Sequence, residues 1–216
     1  MSTSPPRRTR SKESSIASSY AIVTAPAVDL SMQELREFSE MDMEQNKNKA
    51  ELDRLIKKHG ADNILINALR LNNNKIDSWG NFITKLRSMA PIDMTKLQWL
   101  DLSFNKFTTI EPSIAKLKGL RKLHLHANLI RDIRDVQKLV DLPELSDLTL
   151  HGNPIEERGR GKYRNYIIGN LPRLRSLDFT PLTERDKALA SSFCRNTSLM
   201  KTVFTDDEKG RQREPK

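Results

Sequence analysis

Three of the four histidines in this chain, His124, His126 and His151, fall close to the carboxylates Asp101 and Asp147 in the sequence pattern, and imidazoles beside carboxylates are the side chains here best suited to hold a metal. His124 and His126 stand two apart, so a strand would present both imidazoles on one face. His126 and His151 occupy the same place in successive copies of a repeated phrase, about 4.8 Å apart if those copies are neighbouring strands. Such a pair could bind zinc if a third ligand joined it, Asp101 or Asp147 being in reach. A metal site also needs correct geometry and supporting partners, which adjacency alone does not supply. The expectation is therefore a polar binding surface with no metal. Cys194 next to Arg195 could have a lowered thiol pKa, but a lone cysteine near a helix end reads as a small buried hydrophobe. The chain has no Gly-x-x-x-x-Gly-Lys loop, no Gly-x-Ser-x-Gly elbow, no His-Glu-x-x-His helix and no Cys-x-x-Cys pair. Without a convergent set of polar groups, the reading is a non-enzyme with no catalytic residue, no cofactor and no small-molecule substrate.

Those side chains sit on a repeated phrase. The phrase runs Ile66-x-x-Leu69-x-Leu71-x-x-Asn74, Leu97-x-x-Leu100-x-Leu102-x-x-Asn105, Leu120-x-x-Leu123-x-Leu125-x-x-Asn128 and Leu145-x-x-Leu148-x-Leu150-x-x-Asn153. A degenerate fifth copy follows at Leu174-x-x-Leu177-x-Phe179, with Leu182 in place of the asparagine. Steps of roughly 20 to 29 residues carrying this pattern define a leucine-rich repeat, one strand per copy, so the fold class is an α/β solenoid: a short horseshoe of about five repeats. Each copy buries its apolar side only against its neighbours. The asparagine side chain is expected to bond orphaned backbone groups of the turn. Ile76, Phe107, Ile130 and Ile155, each two residues after an asparagine, together with Ile110 and Ile133, are expected to fill the interior. The first repeat is long because Trp79, Phe82, Ile83, Leu86 and Met89 make one face of a helix ended by Pro91.

Five segments follow. Residues 1–28 form a basic leader with too little apolar content to order itself, in which Arg7, Arg8, Arg10 and Lys12 outweigh Glu13. Residues 29–60 read as a helical N-terminal cap: Ser31-x-x-Glu34 as a capping box opening a helix with Met32, Leu35 and Phe38, then a second helix with Leu52, Leu55 and Ile56 inward, an Asp53–Lys57 pair and Gly60 as its stop. The solenoid covers 61–182. A C-terminal capping helix, 183–199, starts at the capping box Thr183-x-x-Asp186 and carries Leu189 and Phe193. Residues 200–216 are a charged tail.

Alternation along each strand sends three side chains per repeat away from the leucines, onto the concave sheet. They are Ala68, Arg70 and Asn72; Trp99, Asp101 and Ser103; Lys122, His124 and His126; Asp147, Thr149 and His151; then Ser176, Asp178 and Thr180. An outward tryptophan beside Arg70, Asp101 and Lys122 is what the centre of a protein interface looks like. The candidate protein-binding face is accordingly Arg70, Trp99, Asp101, Lys122, His124, His126, Asp147 and His151, with Arg7, Arg8, Arg10 and Lys12 as an electrostatic tail.

A net charge of +9 permits an acidic partner. The basic residues are scattered without interleaved aromatics to stack bases, which argues against nucleic acid. No stretch approaches a membrane span, and a single cysteine suits a reducing, cytoplasmic compartment.

The stretches Leu71-Asn72-Asn73-Asn74, Leu100-Asp101-Leu102-Ser103-Phe104-Asn105 and Leu148-Thr149-Leu150-His151-Gly152-Asn153-Pro154-Ile155-Glu156-Glu157 resemble the leucine-rich repeat-containing protein 51 family. That family belongs to a group with the leucine-rich-repeat regulator of protein phosphatase 1 and an axonemal dynein light chain. The likeness spans about residues 64–190, including the long first repeat and the Tyr163-Arg164 cap. It implies a non-enzymatic scaffold of cilia and flagella, attached to the axoneme through axonemal proteins or tubulin. The competing readings are a phosphatase regulatory subunit and a ribonucleoprotein subunit.

Overall fold

The leucine pattern acts through β pairing, and the computed structural model, which describes residues 22–89, 93–158 and 162–196, gives that pairing in full register. The chain enters through two short strands, β1 (Val23–Thr24) and β2 (Val28–Asp29), then α1 (Lys49–His59) and β3 (Ile64–Leu65). The repeats supply β4 (Ala68–Arg70), β5 (Trp99–Asp101), β6 (Lys122–His124) and β7 (Asp147–Thr149), with α2 (Phe82–Ser88) between β4 and β5. After β7 come α3 (Pro154–Arg158), α4 (Tyr163–Asn170), β8 (Ser176–Leu177), β9 (Thr180–Pro181) and α5 (Glu184–Arg195). One sheet runs β2-β4-β5-β6-β7-β8-β9, parallel except for the last pair, while β1 lies parallel to β3.

Leu69, Leu100, Leu123, Leu148 and Leu177 pair across successive strands and are buried. Behind them Leu71, Leu102, Leu125 and Leu150 are wholly buried, as are Ile76, Phe107, Ile130, Ile110 and, almost wholly, Ile155 and Ile133. The long first repeat packs Trp79, Phe82, Ile83, Leu86 and Met89 inward, as their spacing requires. Phe38 and Phe82 meet there at 4.4 Å between ring centres, and Trp79 and Phe107 at 4.7 Å.

The asparagines join repeat to repeat. Asn105 donates through Nδ2 to the Leu102 carbonyl of its own turn and to the Leu71 carbonyl of the turn before, and accepts from the Ile76 N–H. Asn128 treats Leu125, Leu102 and Phe107 in the same way, and Asn153 treats Leu150, Leu125 and Ile130. Each side chain thus satisfies three buried backbone groups that the strands leave open, each of which would cost about 1 to 3 kcal/mol if unpaired. The fifth copy has no asparagine; there Asp178 Oδ1 accepts from the N–H groups of Leu150 and His151, the first of which has as its equivalent in the repeat before, Leu125 N–H, a group bonded to a carbonyl of the next strand. The turn residue before each asparagine is left-handed: Asn73, Phe104, Ala127 and Gly152 have φ between 53° and 68°.

Several expectations are corrected at the ends. Residues 22–28, assigned to the leader, join the fold, and Ser31-x-x-Glu34 opens no helix. The segment Ala25-x-x-Val28-x-Leu30-x-x-Gln33-x-Leu35 is instead a further repeat. Val28 pairs with Leu69 and Asp29 with Arg70, Met32 repeats the left-handed turn at φ 59°, and Leu35 receives the Lys75 N–H as Ile76 receives that of Lys106. The sheet therefore has seven strands, two more than five. In place of the expected helix, short 3-10 turns at Phe38–Glu40 and Met43–Gln45 lie between β2 and α1. In α1 Leu52 is buried and Leu55 and Ile56 pack beside it, but Asp53 bonds Lys49, one turn before it, in place of Lys57. In α5 the Thr183–Asp186 capping box forms and Phe193 is buried with Ala190, whereas Leu189 faces solvent. Pro91, the basic leader around Arg7 to Lys12 and the tail from 200 onward lie outside the described residues.

Candidate functional site

The outward positions of the repeats form three rows across the concave sheet, and the pairing that fixes the leucines fixes these rows too. Ala68, Trp99, Lys122, Asp147 and Ser176 are aligned in the first, and Arg70, Asp101, His124 and Thr149 in the second. Ser31, Asn72, Ser103, His126 and His151 follow two residues further along each strand.

In the N-terminal half this surface closes on itself. Asp29 accepts from the Ser31 N–H and hydroxyl (3.0 and 2.6 Å) and pairs with Arg70 Nη1 at 3.1 Å. Asp101 repeats the arrangement with Ser103 (3.1 and 2.6 Å) and faces His124 Nδ1 at 3.8 Å. Burial alone would raise both carboxyl pKa values. At Asp29 the bonds from Ser31, helped by Arg70, outweigh it, and at Asp101 the interaction with His124, followed by the bonds from Ser103, does so; both carboxyls stay below their ordinary range. Ala68, expected outward, is nonetheless buried, as are Asn72, Asp101 and Ser103. Among the described residues five buried side-chain atoms have no bonding partner: Gln33 Oε1, Asn46 Nδ2, Arg70 Nε and Asn72 Oδ1 at this end, and Trp99 Nε1 where the two halves meet.

In the C-terminal half the surface opens. A cleft of about 220 Å³ is lined by Trp99, Lys122, His124, Asp147, Thr149 and Phe179, with Leu148 and Ser176. Trp99 meets His124 edge-on at 5.9 Å, and His124 meets Phe179 edge-on at 5.5 Å. Beyond Phe179 the rings of His126 and His151 stack at 4.7 Å and 6°, close to the spacing expected of neighbouring strands, and Phe104 stands against His126 at 5.3 Å. His126 Nδ1 is bonded to the Thr149 hydroxyl (2.8 Å), and His151 Nδ1 faces Asp178 (3.3 Å). Burial first, and then the neighbouring His151, push the His126 pKa below its ordinary value. Among the described residues no group of three His, Cys, Asp or Glu side chains is placed to hold a metal ion.

Of the predicted face, the structure brings Trp99, Lys122, His124 and Asp147 together around one cleft, and sets His126 and His151 beside it. Arg70 and Asp101 lie in the closed half. Arg7, Arg8, Arg10 and Lys12 lie outside the described residues. The two residues missed by sequence reasoning are Phe179 and Phe104. The repeat frame places Phe179 inward, in line with Leu71; it is 62% exposed. Asp178 and Phe179 are both left-handed (φ 53° and 60°), and β9 turns back antiparallel on β8. Without a following repeat to extend the ladder, the chain reverses and carries the phenyl ring onto the three imidazoles. The signal was available in the missing asparagine and in Pro181, which cannot donate to a ladder. Phe104 fills a left-handed turn position where glycine or asparagine is at ease, and an aromatic there projects outward.

The far end is sealed by Tyr163, whose hydroxyl donates to Asp178 at 3.0 Å. Burial, reinforced by the Asp178 charge, keeps that phenol protonated. No helix among the described residues is long and apolar enough to cross a membrane.

Comparison with known proteins agrees with this architecture. A leucine-rich-repeat family model matches residues 53–203. Leucine-rich repeat-containing protein 51 of Rattus norvegicus is 41% identical over 139 residues, which is 64% of this chain and 71% of the rat protein. Cilia- and flagella-associated protein 410 of Homo sapiens is 31% identical over 118 residues, 55% of this chain and 45% of that protein. Among solved structures, the crystal structure of the Drosophila melanogaster SNF/U2A' complex has a chain that superposes with a TM-score of 0.58 at 20% identity, covering 82% of this chain and 86% of that one, a likeness of fold. The stacked repeats, the asparagine ladder and these relatives agree: the chain belongs to the leucine-rich-repeat family and, within it, to the leucine-rich repeat-containing protein 51 family.

Proposed function

We propose that this protein is a non-enzymatic interaction scaffold that holds a protein partner on the open half of its concave face, and that it works in the cytoplasm as a structural component of the ciliary or flagellar axoneme. The observation that carries the reading is the cleft between Trp99 and Phe179: two aromatic walls, one of them largely exposed, on a face whose other half is closed. Concave surfaces of stacked repeats are the usual binding surfaces of solenoids. Exposed aromatic groups rimmed by polar ones are where interfaces concentrate their binding energy. The axonemal part of the reading is supported by the family and by a relative whose name associates it with cilia and flagella. Polymerised tubulin and its associated proteins offer acidic surfaces to a chain of net charge +9, and the leader around Arg7, Arg8, Arg10 and Lys12 adds an electrostatic contact.

The test is retention. A tagged chain should stay with detergent-extracted axonemes and leave them at raised salt. Trp99→Ala should release it at any ionic strength, since truncating a central tryptophan typically costs at least about 2 kcal/mol of binding. Removing residues 1–12 should weaken retention mainly at low salt, because peripheral charges tune rate and salt sensitivity. If Trp99→Ala is retained like the parent chain, the partner lies on the convex side or the C-terminal cap and the site assignment fails. Recovery in an RNA-containing particle would replace the axonemal reading with the ribonucleoprotein one.

A further inference from the structure

We propose that the cleft between Trp99 and Phe179 takes an acidic peptide segment carrying one large apolar side chain, an inference that rests on the reading of the concave face as the partner surface. The polar groups of the cleft divide into those already paired within the chain and those left over. The carboxylates in and around it are occupied from within: Asp147, on its lining, by the Ser146 hydroxyl at 2.6 Å, and beside it Asp101 by Ser103 and His124 and Asp178 by Leu150, His151 and Tyr163. Two donors on its lining are not. The indole N–H of Trp99 is buried with no acceptor, whereas the other tryptophan, Trp79, donates to the Thr109 carbonyl at 2.7 Å. Lys122 lines the cleft and is exposed, and its ammonium makes no hydrogen bond or ion pair among the described residues. A buried donor left unpaired costs free energy, and an acceptor that drew the indole toward the cleft would recover it. What is missing at this surface is therefore acceptor capacity, and negative charge in particular.

The size of the cleft limits the apolar part. At about 220 Å³ it falls below the roughly 300 to 1,000 Å³ of pockets that hold cofactor-sized ligands. An apolar cavity of roughly 150 Å³ accommodates a benzene ring, so one aromatic or branched aliphatic side chain fits between the indole and the phenyl ring. Flanking carboxylates would then reach Lys122, and the long-range field of a +9 chain would steer them. A basic peptide is the main rival, because aromatic walls also attract cations. It would meet Lys122 directly and would leave the Trp99 N–H unsatisfied. The chain's own Phe204-Thr205-Asp206-Asp207-Glu208 has the required composition and is the second rival.

The full-length chain is titrated with three blocked pentapeptides at low salt: four glutamates around a central phenylalanine, four lysines around phenylalanine, and four glutamates around alanine. Binding is read by calorimetry and by indole fluorescence. The glutamate–phenylalanine peptide should bind at least about ten-fold more tightly than either of the others, and Lys122→Glu should cost it at least about ten-fold, like charges facing each other being strongly unfavourable. Phe179→Ala and Trp99→Phe should each weaken it, the second by removing only the N–H and part of the wall. Equal or tighter binding of the lysine peptide, no binding of the acidic one, or indifference to Lys122→Glu would overturn the inference. So would acidic-peptide binding that appears only in a Phe204→Ala chain, which would make the tail the occupant. Loss of axonemal retention in Trp99→Ala alongside peptides that bind without charge preference would sink this inference and leave the concave partner site standing; normal retention would sink the site itself.

Discussion

The two halves of the concave sheet are built from the same positions of the same repeat, yet one is closed and the other open. In the N-terminal half an aspartate stands two residues before a serine, at Asp29–Ser31 and Asp101–Ser103. An acceptor and two donors then lie within reach along one strand face, and the serine N–H and hydroxyl fold onto the carboxylate. In the C-terminal half the same positions hold His124 and His126, then Thr149 and His151. Imidazoles two apart have no such local solution, so they stack across strands and gather aromatic rings. What a repeat face offers a partner is thus set by whether its side chains can satisfy one another before the partner arrives.

The comparison can be broken most severely through what the halves share. Leu71 and Leu125 occupy equivalent, fully buried places behind the closed and open halves. Replacing either by alanine should cost about 2 to 5 kcal/mol through the cavity left behind. Chemical denaturation of the two variants should give similar losses, and a loss under a few tenths at Leu125 would mean that the open half is not part of one continuous core.

A smaller effect should separate the halves. Asp101→Ala strips the partner from the buried Ser103 N–H and hydroxyl and should lower stability by about 1 to 3 kcal/mol. Phe179→Ala removes an exposed ring and should change stability by less than about 0.5 kcal/mol, the usual range for surface substitutions. Urea midpoints of these two variants test the division directly: equal losses would show that Phe179 is structural and that the open half is no more available than the closed one.

Most of this architecture was legible, for a reason that also explains the failures. The asparagine phrase is readable because it encodes a geometric need, three backbone bonds per turn, that only a short carboxamide meets, so Asn74, Asn105, Asn128 and Asn153 announce their repeats. The repeat at Ala25 was hidden because it stands at the edge. With no turn before it among the described residues to bond, Gln33 stands where the asparagine would, and Ala25 and Val28 replace larger apolar residues. Its plainest trace is Val28-Asp29-Leu30-Ser31 beside Leu100-Asp101-Leu102-Ser103. The same Ser31 matched a capping box, and the stronger tertiary pairing of Val28 with Leu69 overrode it. Of the face, Trp99, Lys122, His124 and Asp147 were placed by alternation alone. Phe179 was not, because alternation presumes a continuing ladder, and the chain reverses at Asp178. In α1 either Lys49 or Lys57 lies one turn from Asp53, and spacing cannot choose between them.

The smallest effect, and the sharpest discriminator, is a difference in the pH window over which each half responds. Asp29 and Asp101 have pKa values held below the ordinary carboxyl value of 3.8, so the unfolded chain takes up their protons first as pH falls. Their contribution is complete above about pH 4 and is lost only as pH drops through the folded values. His126 is depressed as well, but from 6.5, with burial as the main cause, His151 and then His124 adding to it, and Asp101 and Asp178 opposing. Between pH 6.5 and its folded value the unfolded state again binds the proton more readily, so stability should decline as pH falls from about 7 toward 5. His126→Gln removes that titration while keeping a side chain able to bond the Thr149 hydroxyl, and the slope of stability between pH 7 and 5 should flatten in this variant while the loss below pH 4 persists. An unchanged slope would mean that the stacked imidazoles are as accessible to protons in the folded chain as in the unfolded one, and the open half would then lack the partly dry ring cluster on which its contrast with the closed half depends.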